Sequence, residues 1–176
     1  NSAGPWVDEL LKGVFGLNHV NNIRLVGGSH IVIKRTLPHD KAYTFQAGDG
    51  RVVFIIPYER EFLLVGTTDT EDNDLCTAPE ITPREVDYLC QSASEYLKKP
   101  ITEKDVVWTF SGIRPLYNDG ASKAQEGTRD YVVRESDGAA GPLINVFGGK
   151  ITTYRKLAED VLSRVCAHLK QIDRPW

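Results

Sequence analysis

Cysteine is scarce in this sequence, and basic residues are not in surplus. The three cysteines, Cys76, Cys90 and Cys166, are odd in number and widely spaced, and no two of them form a C-x-x-C pair. They therefore predict neither a disulfide framework nor a metal site, and they indicate a reducing compartment. The formal net charge of -3 argues against nucleic-acid binding, which needs clustered Lys and Arg to neutralise phosphates.

Long apolar runs and a natural-looking start are also missing. The longest apolar runs, such as 52–56 and 62–65, fall far short of the roughly 20 residues that a membrane-spanning helix needs. The opening Asn-Ser-Ala-Gly-Pro-Trp contains neither Met nor a basic region, so it resembles neither an initiation site nor a signal peptide. We therefore expect a fragment of a longer protein.

The residues that are present suffice for one sizeable core. The chain has 176 residues, of which 41% are hydrophobic and 26% are charged, a balance typical of a single globular domain. No internal repeat or low-complexity linker divides it. Short segments rich in Val, Ile and Thr, joined by hairpin-length turns, predict an antiparallel meander over 43–46, 52–57 and 61–67.

Local patterns predict further elements. Thr82-Pro83-Arg84-Glu85 is a capping box with Pro at the first helical position, so a helix is expected to start there. Residues 23–34 predict two strands separated by a turn or bulge at Gly27-Gly28-Ser29. Trp108 and Phe110 alternate on another strand, and we interpret them as core side chains.

The last part of the chain combines a buried strand, a glycine turn and an amphipathic helix, over 143–147, 148–149 and 152–169. Glycine lets the backbone approach a ligand closely, and the N–H groups at a helix start favour an anionic or electron-rich acceptor. Gly148, Gly149, Thr152 and Thr153 could form such a site. They could also make only a tight connection, with one threonine as the helix cap.

Three side chains are candidates for anion binding or chemistry. Arg114 precedes Pro115 at the end of a strand, where its guanidinium could grip a carboxylate or phosphate, or pair with an acidic residue of the chain. Arg129 has the same two alternatives, with Asp130 beside it. His30 could be a general base or a buried histidine satisfied by the backbone. No metal-ligand spacing or nucleophile motif is present, which disfavours a metalloenzyme or a serine hydrolase.

Four motifs follow one another along the chain. They are Gly27-Gly28-Ser29-His30-Ile31-Val32, Ser111-Gly112-Ile113-Arg114-Pro115-Leu116, Thr128-Arg129-Asp130-Tyr131 and Phe147-Gly148-Gly149-Lys150-Ile151-Thr152-Thr153-Tyr154-Arg155-Lys156-Leu157-Ala158. Together and in this order they resemble the motifs of the FAD-dependent glycerol-3-phosphate dehydrogenases. The opening Asn1-Ser2-Ala3-Gly4-Pro5-Trp6 resembles the point where that family's chain leaves its flavin domain, so the likeness covers essentially the whole sequence.

The resemblance implies an α+β fold. A largely antiparallel sheet with flanking helices, of the substrate-binding type found in D-amino-acid-oxidase-like flavoproteins, would be followed by a strand, glycine turn and helix that close the flavin domain. It divides the chain into 1–16 (exit from the flavin domain and a short helix), 17–141 (substrate-binding domain) and 142–176 (closing segment). The flavin-binding G-x-G-x-x-G is absent, so we expect the isolated fragment to be inactive and to retain FAD poorly.

The resemblance also implies roles for individual residues. Arg114 and Arg129 would hold the phosphate of sn-glycerol 3-phosphate, and His30 would be the base for its C2 hydroxyl. Lys150 would lie near both flavin and substrate and would be the second catalytic residue. The residues implied to contact FAD are Gly148, Gly149, Lys150, Thr152 and Thr153. The implied reaction is oxidation to dihydroxyacetone phosphate with hydride transfer to FAD.

For the full-length protein the resemblance implies further properties. Electrons would pass to quinone, and the protein would be a cytoplasmic homo-oligomer, peripheral on the inner face of the plasma membrane. Two other classes stay open. One is an FAD-dependent amino or hydroxy acid oxidase, in which the arginine would grip a carboxylate. The other is a non-catalytic anion-binding module, in which Arg114 would form an ordinary ion pair.

Overall fold

The computed structural model contains both helices and strands. The structure describes residues 1–18, 20–71, 75, 77–120, 128–138 and 141–169, so Cys76 lies outside the described residues. Its helices are α1 (Val7–Gly13), α2 (Pro83–Ser94) and α3 (Tyr154–Leu169), with 3-10 turns at Gly4–Trp6, Glu103–Asp105 and Ile151–Thr153. Its strands are β1 (Ile23–Lys34), β2 (Tyr43–Gln46), β3 (Val52–Tyr58), β4 (Phe62–Gly66), β5 (Thr70–Glu71), β6 (Val106–Tyr117), β7 (Val132–Gly138) and β8 (Gly141–Phe147). The predicted α+β class is confirmed.

The chain folds as two units. The terminal unit comprises Asn1–Val26, Glu71–Leu75 and Arg114–Trp176, and the central unit comprises Gly27–Thr70 and Cys76–Ile113. The chain passes from one unit to the other within β1, within β5, after Leu75 and within β6. The division into 1–16, 17–141 and 142–176 stays a prediction.

The central unit is built on an antiparallel sheet in which β2, β3, β4 and β1 lie side by side in that order and β6 also pairs with β1. The register places His30 of β1 opposite Gly66 of β4, and Gly66 opposite Phe54 of β3. Along β3 the residues alternate, with Val53 and Ile55 buried and their neighbours exposed. This alternation is what a sheet covered on one face requires. The predicted hairpins are confirmed.

Helix α2 covers the buried face of this sheet. Its start is the predicted capping box, because the Glu85 backbone N–H donates to Thr82 Oγ1 at 3.3 Å and the Glu85 carboxylate accepts from the Thr82 N–H at 2.9 Å. The side chains that it contributes to the hydrophobic core recur at helical spacing, and they are Val86, Leu89, Cys90 and Ala93. The sequence-based start of α2 is thus confirmed.

Two expectations about strands are wrong. Residues 23–34 form one continuous strand rather than two strands broken at Gly27–Ser29, because pairing with neighbouring strands keeps the glycines extended. Trp108 and Phe110 are not core residues, since they are 55% and 37% exposed. Alternation along a strand shows which residues share a face, but which face is covered depends on what packs there.

The terminal unit contains the antiparallel hairpin of β7 and β8 and the helices α1 and α3. Buried side chains of α1 and β8 form its core, and they are Val7, Leu11, Leu143 and Phe147. The chain start is held along β8, since the Asn1 amino group donates to the Ile144 carbonyl at 2.7 Å and the Val146 N–H donates to the Asn1 carbonyl at 2.9 Å. Among the described helices, none combines the length and apolar character that a membrane crossing requires.

Candidate functional site

The glycine turn after β8 packs against two other segments of the terminal unit. Gly148 and Gly149 have φ angles of 68° and 109°, in the left-handed region that favours glycine. A Cβ on Gly148 would lie 3.3 Å from the carbonyl oxygen of Asp130 and 3.4 Å from that of Pro115. The turn therefore needs glycine both for its conformation and for its close approach to backbone.

This packing brings the turn beside both predicted arginine segments. Pro115 directly follows Arg114, which is half-buried, and Asp130 directly follows Arg129, which is exposed. Next to the turn, the Lys150 ammonium donates to the Asp130 carboxylate at 2.9 Å. Three segments that are distant in sequence, each carrying a cationic residue, thus meet around the glycine turn. Arginine and lysine residues in neighbouring segments favour an anionic ligand.

The helix after the turn starts later than predicted. Residues Ile151–Thr153 form a 3-10 turn, and α3 begins at Tyr154 rather than at Thr152. The cause is the carbonyl of Lys150, which accepts from both the N–H and the hydroxyl of Thr153, each at 3.1 Å. Lys150 and Thr152 are exposed beside the turn. Bare glycine backbone followed by exposed Lys and Thr side chains can hold an electron-rich or anionic group.

His30 belongs to the central unit, and two residues frame its imidazole. Gly66 is its cross-strand partner, and a Cβ at that position would lie only 2.1 Å from His30 Cδ2. The ring of Phe110 stacks on the imidazole with a centroid separation of 4.8 Å and an interplanar angle of 5°. His30 is half-buried, so it is not a histidine sealed in the core. A half-exposed imidazole in a defined orientation suits a general base.

A buried carboxylate anchors the β1 backbone beside His30. Glu85 is 8% exposed and accepts from the hydroxyls of Ser29 at 2.9 Å and Thr68 at 2.6 Å. The Ser29 N–H in turn donates to Thr68 Oγ1 at 2.9 Å. Burial raises the pKa of Glu85, but the hydrogen bonds from Thr68, Thr82 and Ser29 outweigh it and hold the pKa below its ordinary value.

Four residues that contact or orient the candidate site residues were not predicted as such from the sequence. They are Gly66, Phe110, Glu85 and Asp130. Gly66 stands at the end of a strand, and an isolated glycine there is a signal of close approach by another group. Glu85 was recognisable only as a helix cap, because its contacts with Ser29 and Thr68 depend on the fold. Asp130 was expected only as a partner of Arg129, whereas its carboxylate accepts from Lys150.

The chain is similar to known flavoproteins. The family model described as FAD dependent oxidoreductase matches residues 1–155. The aerobic glycerol-3-phosphate dehydrogenase of Escherichia coli is 41% identical over all of this chain, and the D-erythritol 1-phosphate dehydrogenase of Brucella abortus is 40% identical over all of it. The chain spans only 35% of either relative's length.

A solved structure is also similar. The glycerol-3-phosphate dehydrogenase from Bacillus halodurans, crystallised with FAD, superimposes with a TM-score of 0.79 at 30% sequence identity. The match covers 99% of this chain and 32% of that protein. The fold likeness therefore extends over both units of the chain, while most of the related protein has no counterpart here.

Proposed function

The chain belongs to the FAD-dependent oxidoreductase family, and we propose that it forms the substrate-binding part of a dehydrogenase that oxidises sn-glycerol 3-phosphate to dihydroxyacetone phosphate. The observation that carries this proposal is the packing of the Gly148 turn against the residues that follow Arg114 and Arg129. Through that packing, the segments that carry Arg114 and Arg129 lie beside the turn that precedes Lys150. A phosphorylated substrate beside a flavin requires this combination.

The residues around the turn fit FAD. Gly149, Lys150 and Thr152 are exposed at and after the turn, and neither glycine carries a side chain that would block the approach of a ligand. In the proposal Gly148, Gly149, Lys150, Thr152 and Thr153 hold the cofactor, whose isoalloxazine ring accepts a hydride when it is bound. The Lys150 ammonium places positive charge at this end of the site, where it favours an electron-rich ring edge.

The substrate is held by its charge and loses its proton to a base. Arg114 and Arg129 grip the phosphate, because a guanidinium fork matches phosphate oxygens in both charge and geometry. With the phosphate held, the carbon that bears the C2 hydroxyl is fixed in place. His30 then accepts the hydroxyl proton while the hydride leaves the same carbon.

A second polyol phosphate is a candidate substrate. The relative from Brucella abortus acts, by its name, on D-erythritol 1-phosphate, and it is as similar to this chain as the glycerol 3-phosphate enzymes are. Both substrates carry a phosphate on a primary carbon and a hydroxyl on the next, so the same arginines and the same base serve either one. Amino and hydroxy acid oxidases are less well supported, since none of the similar proteins described above carries such a name.

The wider setting of the enzyme is also part of the proposal. We propose a cytoplasmic homo-oligomer, peripheral on the inner face of the plasma membrane, that passes electrons to quinone. The support for this is the resemblance of the motifs to respiratory dehydrogenases. Within that enzyme, 1–16 and 142–176 complete the flavin domain and 17–141 forms the substrate domain, so the chain alone is inactive.

The test uses a chimera in which this chain replaces the matching segment of the Escherichia coli aerobic glycerol-3-phosphate dehydrogenase. Loss of the oxidised flavin absorbance is followed without oxygen after adding glycerol 3-phosphate, D-erythritol 1-phosphate or a D-amino acid. Arg114→Ala removes charged hydrogen bonds worth about 1.5–3 kcal/mol, so KM should rise by about 10- to 150-fold. The matched control is Arg84→Ala, which removes an exposed arginine on α2.

Three results discriminate the hypotheses. Reduction by a polyol phosphate that weakens in Arg114→Ala but not in Arg84→Ala supports the dehydrogenase. Reduction of the flavin by amino acids, but not by a polyol phosphate, would favour the amino or hydroxy acid oxidase. If FAD is bound but no substrate reduces it, the fold assignment stands and the proposed function is rejected.

A further inference from the structure

The imidazole of His30 occupies space that is available only because residue 66 is glycine. The two residues are direct cross-strand partners, and a Cβ at position 66 would come within 2.1 Å of His30 Cδ2 and 2.7 Å of both Cγ and Nε2. Contacts under 3 Å to a ring cannot be relieved by a small adjustment. Gly66 is buried, and the imidazole lies directly against its α-carbon.

The face of the imidazole is held by Phe110. Its ring is nearly parallel to the imidazole, with 5° between the planes and 4.8 Å between the centroids. This is the offset stacked arrangement that aromatic pairs prefer. Phe110 is itself 37% exposed and tilted against Trp108, so the stack lies where a ligand can reach it.

The backbone that carries His30 is pinned, so the ring cannot escape by a shift of β1. The N–H of Ser29, the preceding residue, donates to Thr68 Oγ1 at 2.9 Å, and its hydroxyl donates to Glu85 at 2.9 Å. The Ser29 hydroxyl also lies 2.9 Å from that of Ser111 on β6. A side chain at position 66 would therefore rotate the imidazole away rather than move the strand.

We propose that Gly66 and Phe110 are positioning residues that hold the His30 imidazole in one orientation for proton transfer from the polyol phosphate hydroxyl. This inference rests on the proposed function, because a fixed orientation of the imidazole matters for catalysis only if His30 is the base. A general base must lie within hydrogen-bond reach of the proton it removes. Displacement of a reacting group by about 1 Å can cost roughly 100-fold in rate.

The variants separate a positioning role from a structural one. In the chimera, Gly66→Ala should lower kcat by about 100-fold while KM and FAD content stay close to the parent values. Phe110→Leu, which removes the stack, should lower kcat by about 2- to 10-fold, and Phe110→Tyr should keep it. Gly48→Ala is the matched control, because Gly48 lies in the same unit with nothing near its missing side chain.

A double-mutant cycle with His30→Ala decides whether the two residues act through the imidazole. If they do, Gly66→Ala and Phe110→Leu should cause no further loss of kcat once His30 is gone. An equal loss in both backgrounds would overturn the inference. Should Gly66→Ala not fold, Phe110→Leu and Phe110→Tyr complete the same cycle.

A spectroscopic measurement reads the orientation without reference to catalysis. Ring currents from Phe110 shift the proton resonances of a stacked imidazole upfield. The His30 signals should show this shift in the parent and in Phe110→Tyr, and lose it in Gly66→Ala and Phe110→Leu. An unshifted His30 signal in the parent would show that Phe110 does not stack on the imidazole, and it would overturn the inference.

The two proposals fail in different ways. If the shift is present but His30→Ala retains full kcat, His30 is not the base, and both that role and the positioning inference are rejected while the arginine assignments stand. If His30→Ala abolishes turnover but Gly66→Ala and Phe110→Leu leave kcat unchanged, only the positioning inference is rejected.

Discussion

Lys150 donates a hydrogen bond to the carboxylate of Asp130 at 2.9 Å, and this contact ties the glycine turn to the segment that carries Arg129. The same residue, Asp130, presents its backbone carbonyl to Gly148. One acidic residue therefore orients the lysine on one side and borders the turn on the other.

Replacing Lys150 should affect chemistry more than stability. The ion pair is between side chains that are 46% and 75% exposed, so Lys150→Met should change the free energy of unfolding by less than about 1 kcal/mol. In the chimera the same change should slow flavin reduction by on the order of 100-fold, because a preorganised positive donor is lost. The measurements are urea denaturation of the chain and anaerobic reduction of the chimera.

Lys156 provides the matched control for this prediction. It forms a comparable exposed ion pair, with Asp160 at 2.8 Å, within helix α3. Lys156→Met should have the same small effect on stability and no effect on reduction. Equal slowing by both variants would show that net charge matters rather than the position of Lys150.

Gly148→Ala should destabilise the chain more than a substitution at a glycine of similar conformation. Gly50 also has a positive φ, 85°, but nothing lies within 4 Å of its missing side chain, so Gly50→Ala costs only backbone strain of about 1–2 kcal/mol. At Gly148 the new methyl also meets the carbonyls of Asp130 and Pro115, which should bring the total to about 2–5 kcal/mol. Urea denaturation of both variants measures the difference. Similar losses would mean that the turn relaxes away from its neighbours.

Glu85→Gln should destabilise the chain at neutral pH and lose its effect in acid. The hydrogen bonds hold the pKa of Glu85 below its ordinary value of 4.5, so the carboxylate stabilises the fold above that pH. This contribution is lost as pH falls below 4.5 and through the lower pKa of the folded state. At neutral pH the amide cannot accept from all the donors, and the cost should be about 1–3 kcal/mol.

The control for Glu85 is Glu95→Gln, at the exposed end of the same helix. Its stability should track that of the parent across the pH range. The measurement is the thermal unfolding midpoint of the parent, Glu85→Gln and Glu95→Gln at several pH values between neutral and mildly acidic. A gap between parent and Glu85→Gln that widened in acid would contradict the assigned role.

Cys90 should be much less reactive than Cys166 in the folded chain. Burial, with added repulsion from Asp87, Asp105 and Glu103, raises the pKa of the Cys90 thiol to about 11. Only the thiolate reacts, and Cys166 is less deeply buried. Alkylation by iodoacetamide at mildly alkaline pH, followed peptide by peptide with mass spectrometry, should be at least about 10-fold slower at Cys90. In urea the two rates should converge, and a difference that survived unfolding would refute burial as the cause.

Local features of this fold were predictable because their causes are local. The start of α2 at Pro83 depends on Thr82 and Glu85, which are close in sequence, and the hairpin of β3 and β4 depends on a short turn between β-branched runs. The glycine turn at 148–149 was recognisable for the same reason. The predicted start of α3 is two residues too early, because the Thr153 N–H donates to the Lys150 carbonyl and closes a 3-10 turn. At a helix start, a 3-10 turn and the first turn of an α-helix are close in free energy.

The sequence by itself determined the element types, the family motifs and the identity of the candidate cations and base. Tertiary structure alone decided that Gly66 and Phe110 contact the His30 imidazole. It also decided that the Glu85 carboxylate accepts a hydrogen bond from Ser29, and that the Asp130 carboxylate accepts one from Lys150. The physical reason is strand register. A cross-strand neighbour is selected by which strands pair and in which alignment, and that selection is made by burial of a whole sheet face rather than by the residues in contact.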